Sequence, residues 1–93
     1  MQYITTTYDP DELAWVSPEI TLTRNIFMTI TLKQPGKLVI RQDNGDGKKL
    51  RVPIKKHKDT KEFTLRMQVV PDSIKIQIFT STEPKEIKYA YIS

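Results

Sequence analysis

An all-β domain, folded as a two-sheet antiparallel sandwich of about seven strands, is what this sequence predicts, and three observations carry that expectation. Apolar and polar residues alternate along most of the chain, the period of a strand with one buried face. Each alternating run stops at a cluster of Pro, Gly, Asn or Asp, residues that punctuate strands because of their special φ or local hydrogen bonding. The runs recur about every ten residues, the spacing of strands in sandwiches and small barrels.

The first run, Gln2 to Tyr8, is rich in Thr and Tyr and ends at Asp9-Pro10-Asp11-Glu12, where Asp before Pro initiates a turn. Leu13 to Val16 reads as a short strand or one helical turn, and Ser17-Pro18 breaks the chain again. From Glu19 to Leu32 the apolar residues Ile20, Leu22, Ile26, Met28, Ile30 and Leu32 keep one parity, interrupted only at Arg24. One long strand with a kink at Arg24-Asn25 is expected. Gln34-Pro35-Gly36-Lys37 has the type II turn pattern, Pro second and Gly third. Asp43 to Gly47 contains Asn-Gly, a strong hairpin signal. Pro53, within Lys49 to Lys55, cannot donate to a ladder and assigns that strand to a sheet edge. After a loop from His57 to Lys61, Glu62 to Val70 turns at Pro71-Asp72-Ser73 into Ile74 to Thr80, and Glu83-Pro84-Lys85 leads into Glu86 to Ile92. The inward set is expected to be Met28, Ile30, Leu32, Leu38, Ile40, Leu65, Met67, Ile76 and Ile78.

Residues 1–93 make one domain, which at this size buries roughly 60 to 65% of the surface of its unfolded chain and has no room for a cleft between lobes. Cysteine is absent, which excludes disulfides, thiolate zinc sites and a cysteine nucleophile. No apolar stretch approaches the length of a membrane span, and the start MQYITTTYD lacks the basic and apolar regions of a secretory signal. With Met1 present and no tag visible, both termini are expected to be held in place.

The net charge of +4 is distributed unevenly. Residues 1–32 hold four acids and one base, residues 33–61 ten bases and three acids, and residues 62–93 four of each. Lys48, Lys49, Arg51, Lys55, Lys56, Lys58 and Lys61 crowd the Pro53 strand and the loop after it. Such lysines guard an exposed edge against aggregation. The alternative reading is a basic patch that would meet an acidic partner surface or nucleic acid. Nucleic acid is not the expected partner, because the stretch 48–61 contains no aromatic residue on which bases could stack. Tyr89 and Tyr91 share a face and are expected to cap the core with their hydroxyls at its rim.

Catalytic and metal chemistry lack the residues they need. The single histidine, His57, sits among lysines with no orienting acid beside it. Asp43 to Gly47 has glycine where a calcium loop of the helix-loop-helix kind requires oxygen ligands at its third and fifth positions. No phosphate-binding glycine loop or Gly-x-Ser-x-Gly elbow occurs. The expectation is therefore a protein that is not an enzyme, has no cofactor and binds no metal. Trp15, between the acidic turn and Ser17-Pro18, is expected in an irregular segment, where an indole plugs one end of a sandwich or reaches a partner as an anchor.

Strand count, length and cysteine-free composition together resemble immunoglobulin-like sandwiches, without the Cys, Trp, Cys spacing of antibody domains. The chain looks most like the small immunoglobulin-like domains that tailed bacteriophages attach to capsids and tails. That resemblance implies an auxiliary, or decoration, protein of a virion, docking on a repetitive protein shell, and it carries over no residues. The charge pattern and the single indole make Trp15, Lys48, Lys49, Arg51, Lys55, Lys56, Lys58 and Lys61 the expected docking residues. Outside a virion the lack of an export signal would place it in the cytoplasm. A carbohydrate- or cell-surface-binding module is the alternative, and it requires Trp15, Tyr3, Tyr8 or Tyr91 to lie together on one surface.

Overall fold

The computed structural model describes residues 1–43, 49–54, 59–69 and 73–92, and of 49, 50 and 52–54 the backbone alone. Ten strand segments occur there: β1 (Gln2–Tyr3), β2 (Thr7–Asp9), β3 (Ala14–Val16), β4 (Ile20–Leu22), β5 (Ile26–Gly36), β6 (Leu38–Asp43), β7 (Lys49–Ile54), β8 (Thr60–Met67), β9 (Ile74–Thr80) and β10 (Pro84–Tyr91). They form two antiparallel sheets. Sheet A has the order β1-β10-β5-β8; sheet B has the order β2-β3-β9-β6-β7, with β4 continuing beyond β3 along the same side of β9.

The pairings are nested. β6 pairs with β7, β5 with β8, β3 and β4 with β9, and β1 with β10. This is one long hairpin centred on the β6–β7 connection, wrapped so that successive pairs fall alternately in sheet B and sheet A. Such wrapping is the double Greek key of a jelly roll. The expected all-β antiparallel sandwich is present, but its strand order is that of a jelly roll and not of an immunoglobulin-like domain, whose first two strands lie side by side in one sheet.

Sheet changes explain why about seven expected strands become ten segments. Gln2 to Tyr8 splits into β1 in sheet A and β2 in sheet B. Glu19 to Leu32 splits at Thr23-Arg24-Asn25 into β4 and β5, again in different sheets. Because three residues intervene, the even positions still face the interior on both sides of the break. Asn25 ties the corner down: its Oδ1 accepts from the Val69 amide at 2.8 Å, and its carbonyl from the Ile92 amide at 3.0 Å.

Gln34 to Lys37 is likewise a sheet crossing, not the expected type II hairpin, since β5 runs to Gly36 in sheet A and β6 starts at Leu38 in sheet B. The φ of Gly36 lies outside the left-handed region; a Cβ there would lie 2.5 Å from Thr82 Oγ1 and 2.7 Å from Ser81 Oγ. Close approach, not turn geometry, requires the glycine. The expected strand pair Glu62 to Val70 and Ile74 to Thr80 corresponds to β8 and β9, which lie in different sheets, so no hairpin joins them; residues 70–72 lie outside the described residues. The β6–β7 pairing is as expected, although residues 44–48 of its connection lie outside the described residues. β7 is an edge strand, as Pro53 required.

Between the sheets pack Leu22, Ile26, Met28, Ile30, Leu32, Leu38, Ile40, Phe63, Ile74, Ile76, Ile78, Ile87 and Tyr89. Leu65 and Met67, also expected inside, are half-buried against this cluster. At Ser17 the side of β9 passes from β3 to β4. The Ser17 amide donates to the Ile78 carbonyl at 2.9 Å, and Ser17 Oγ accepts from the Ile78 amide at 2.8 Å. A hydroxyl thus stands in for a strand carbonyl where Pro18 interrupts the ladder.

Candidate functional site

The β2–β3 connection begins with an Asx turn. Asp9 Oδ1 accepts from the amides of Asp11 at 2.9 Å and Glu12 at 3.3 Å, the local bonding that makes Asp a turn former. Leu13 closes the turn with φ of 54°, a left-handed conformation that an L-residue with a bulky side chain rarely adopts. Its side chain is 74% exposed. A strained backbone therefore holds an apolar side chain in water.

Glu12, next to it, receives both arms of Arg51 from β7, Nη1 to Oε2 at 2.9 Å and Nη2 to Oε1 at 2.8 Å. The same guanidinium lies over the ring of Phe79 in β9, 4.7 Å from its centroid. The hydrogen bond from Arg51 pulls the Glu12 carboxyl below its ordinary value, with partial desolvation opposing, and the reciprocal bond raises Arg51 above its own. Leu13, Ala14, Val39, Phe79, Lys37 and the Arg51–Glu12 pair enclose a shallow hollow of about 240 Å³. Its floor is apolar and its wall charged. Next to that wall, Arg41 lies 3.8 Å from Glu19, and Lys75 4.0 Å from the same carboxylate.

Trp15 is not in an irregular segment but in β3, opposite Thr80. It is half-buried and meets Tyr8 edge to face, with centroids 5.4 Å apart at 66°, the geometry favoured by the ring quadrupoles. Tyr8 is 47% exposed. On its flank a second hollow of about 400 Å³ is lined by Thr5, Thr7, Tyr8, Asp9, Ser17 and neighbouring residues.

The basic residues of residues 48–61 do not share one strand and loop. Arg51 lies on β7 in sheet B, whereas Lys61 is an exposed residue of β8 in sheet A. The fold separates them because β7 and β8 belong to different wraps of the hairpin. Lys49 is described by its backbone in β7 alone, and Lys48, Lys55, Lys56 and Lys58, like His57, lie outside the described residues. Tyr89 caps the core, and burial pushes its hydroxyl pKa up; Tyr91 is 39% exposed, edge-on to Tyr89 at 6.0 Å and covered by Arg24 at 4.9 Å.

Sequence reasoning missed Glu12, Leu13 and Phe79. Glu12 and Arg51 are 39 positions apart, and no local signal pairs them; only the acidic turn and a lone Arg among lysines were visible. Among the described residues no group of three or more His, Asp or Glu could hold a metal ion, and no helix is long and apolar enough to cross a membrane. No protein-family model, curated protein or solved structure matches the chain.

Proposed function

We propose that this chain is a non-enzymatic docking module, an auxiliary protein of a phage virion that binds a repetitive protein shell through the outer surface of sheet B. The carrying observation is Leu13, presented 74% exposed on a left-handed backbone beside the hollow framed by Arg51, Glu12 and Phe79. An exposed apolar residue held by strain beside a charged rim has the character of an interface anchor: the apolar group holds the complex and the charges orient it. The jelly-roll order adds an argument from analogy of fold, since capsid proteins use that architecture. Trp15 and Tyr8 pair across the same β2–β3 hairpin but, in register with the buried Thr80, lie on the side of sheet B opposite to Phe79 and Val39, so they stand outside this contact.

Quantitative mass spectrometry of particles purified from the source of this sequence tests the proposal; many copies per particle are expected, and absence from particles overturns it. Leu13→Asp should weaken binding to such a shell by about tenfold or more, as for loss of an anchor. The exposed Tyr8 ring beside hydroxyls of Thr5 and Thr7 supports a second reading, a carbohydrate-binding module. A glycan-array ligand lost on Tyr8→Ala but retained on Leu13→Asp would favour that reading over the first.

A further inference from the structure

Sheet A ends on β8, an eight-residue strand paired with β5 on one side and, among the described residues, with no strand on the other. The other edges are blunted: β1 has two residues, β2 and β4 have three each, and β7 carries Pro53. β8 contains neither Pro nor Gly. Glu62, Thr64 and Arg66 point to the outer face, opposite Thr31, Thr29 and Phe27 of β5, while Phe63, Leu65 and Met67 point inward. Glu62 and Arg66 are exposed, and among the described residues neither forms an ion pair.

We infer that β8 pairs with β8 of a second copy of this chain, antiparallel about a two-fold axis through Thr64. The strand is self-complementary in that register and in no neighbouring one. With Thr64 opposite its own copy, Glu62 faces Arg66 of the other chain and Arg66 faces Glu62, giving two opposite-charge cross-strand pairs on one face. On the other face Phe63 sits opposite Leu65, two apolar residues continuing the core across the junction, and beyond them Met67 meets the aliphatic stem of Lys61. Moving the axis one residue, to Phe63 or Leu65, removes both charge pairs; moving it two, to Glu62 or Arg66, sets like charges opposite each other. The half-burial of Leu65 and Met67, inward residues on an uncovered edge, fits the same arrangement. The result is an isologous dimer in which sheet A continues through β8 into its symmetry mate.

The absence of cysteine makes the register directly testable. In a Thr64→Cys variant the two thiols would face each other across the axis, where Cα atoms of an antiparallel pair lie about 4.5 to 5.5 Å apart, within disulfide range. A Lys61→Cys thiol would be about 20 Å from its copy. Mild oxidation should therefore cross-link Thr64→Cys into a dimer and leave Lys61→Cys monomeric. Sedimentation velocity over a concentration series should show dimerisation of the natural chain. Glu62→Arg alone should weaken it by about tenfold or more, and Glu62→Arg with Arg66→Glu should restore it. Cross-linking of both cysteine variants alike, a monomer at every concentration, or no restoration by the double reversal would overturn the inference.

Discussion

Arg51 joins three parts of the molecule through one planar group: it bonds Glu12 with both arms and covers Phe79 with its face. Lysine offers one point charge and no plane, so Arg51→Lys should loosen the β2–β3 turn. Because Arg51 depresses the Glu12 carboxyl, the unfolded chain binds more protons in the interval between the folded and ordinary values, and stability rises with pH across it. The contribution is complete above the ordinary carboxylate value and lost as pH falls through the lower, folded one. Urea midpoints of the natural chain and Glu12→Gln should differ at neutral pH and converge in strong acid. Leu13→Gly removes a bulky side chain from a positive φ and should stabilise the fold by about 0.5 to 1 kcal/mol while weakening docking; a loss of stability would show that Leu13 is held by packing instead. Ser17→Ala strands the buried Ile78 amide and should cost about 1 to 3 kcal/mol, measured by urea denaturation.

At the scale of elements, the corners where strands change sheet determine how the hairpin wraps. Gly36 lets β5 pass under Ser81 and Thr82 before β6 starts in the other sheet. Those hydroxyls are engaged: Thr82 Oγ1 donates to the Gln34 carbonyl at 2.7 Å, and Ser81 Oγ accepts from the Lys37 amide at 2.7 Å. A methyl at Gly36 would displace both. Gly36→Ala should accordingly destabilise by about 1 to 3 kcal/mol, the range for overpacking, in thermal or urea unfolding. Asn25 acts similarly at the β4–β5 corner, tying Val69 and Ile92 to one residue. Edge strands show the opposite design, for Pro53 closes β7 to further pairing while β8, among the described residues, remains open to it.

For the whole molecule, nested pairing means that β1 at the start of the chain closes on β10 at its end. Most contacts are therefore far apart in sequence, and loop closure must precede the contacts that compensate for it. Refolding from urea is expected to take milliseconds to seconds, as for other non-local β proteins; complete refolding within microseconds would contradict the topology. Ile76, 1% exposed at the centre of β9 between β4 and β6, should cost about 2 to 5 kcal/mol when replaced by Ala.

Alternation alone selected an antiparallel sandwich, because burial of one face imposes a period of two wherever a strand lies. Every residue in the expected inward set is buried in the core or half-buried against it, although that set left out Leu22, Ile26, Phe63, Ile74 and Ile87. Met28, Ile30 and Leu32 could be placed inside without knowing their neighbours, and Pro53 marked an edge because a missing amide cannot serve a central strand. The same period is blind to which sheet a strand joins. Ile20, Leu22, Ile26 and Met28 keep one parity across the corner at Arg24, so a strand that changes sheet and one that merely kinks read alike. Long-range pairing decided that, and with it the jelly-roll order. It also decided the candidate site: Glu12, Phe79 and Arg51 lie in three separate turns and strands, and only the lateral order of sheet B brings an acid, a ring and a guanidinium to one hollow.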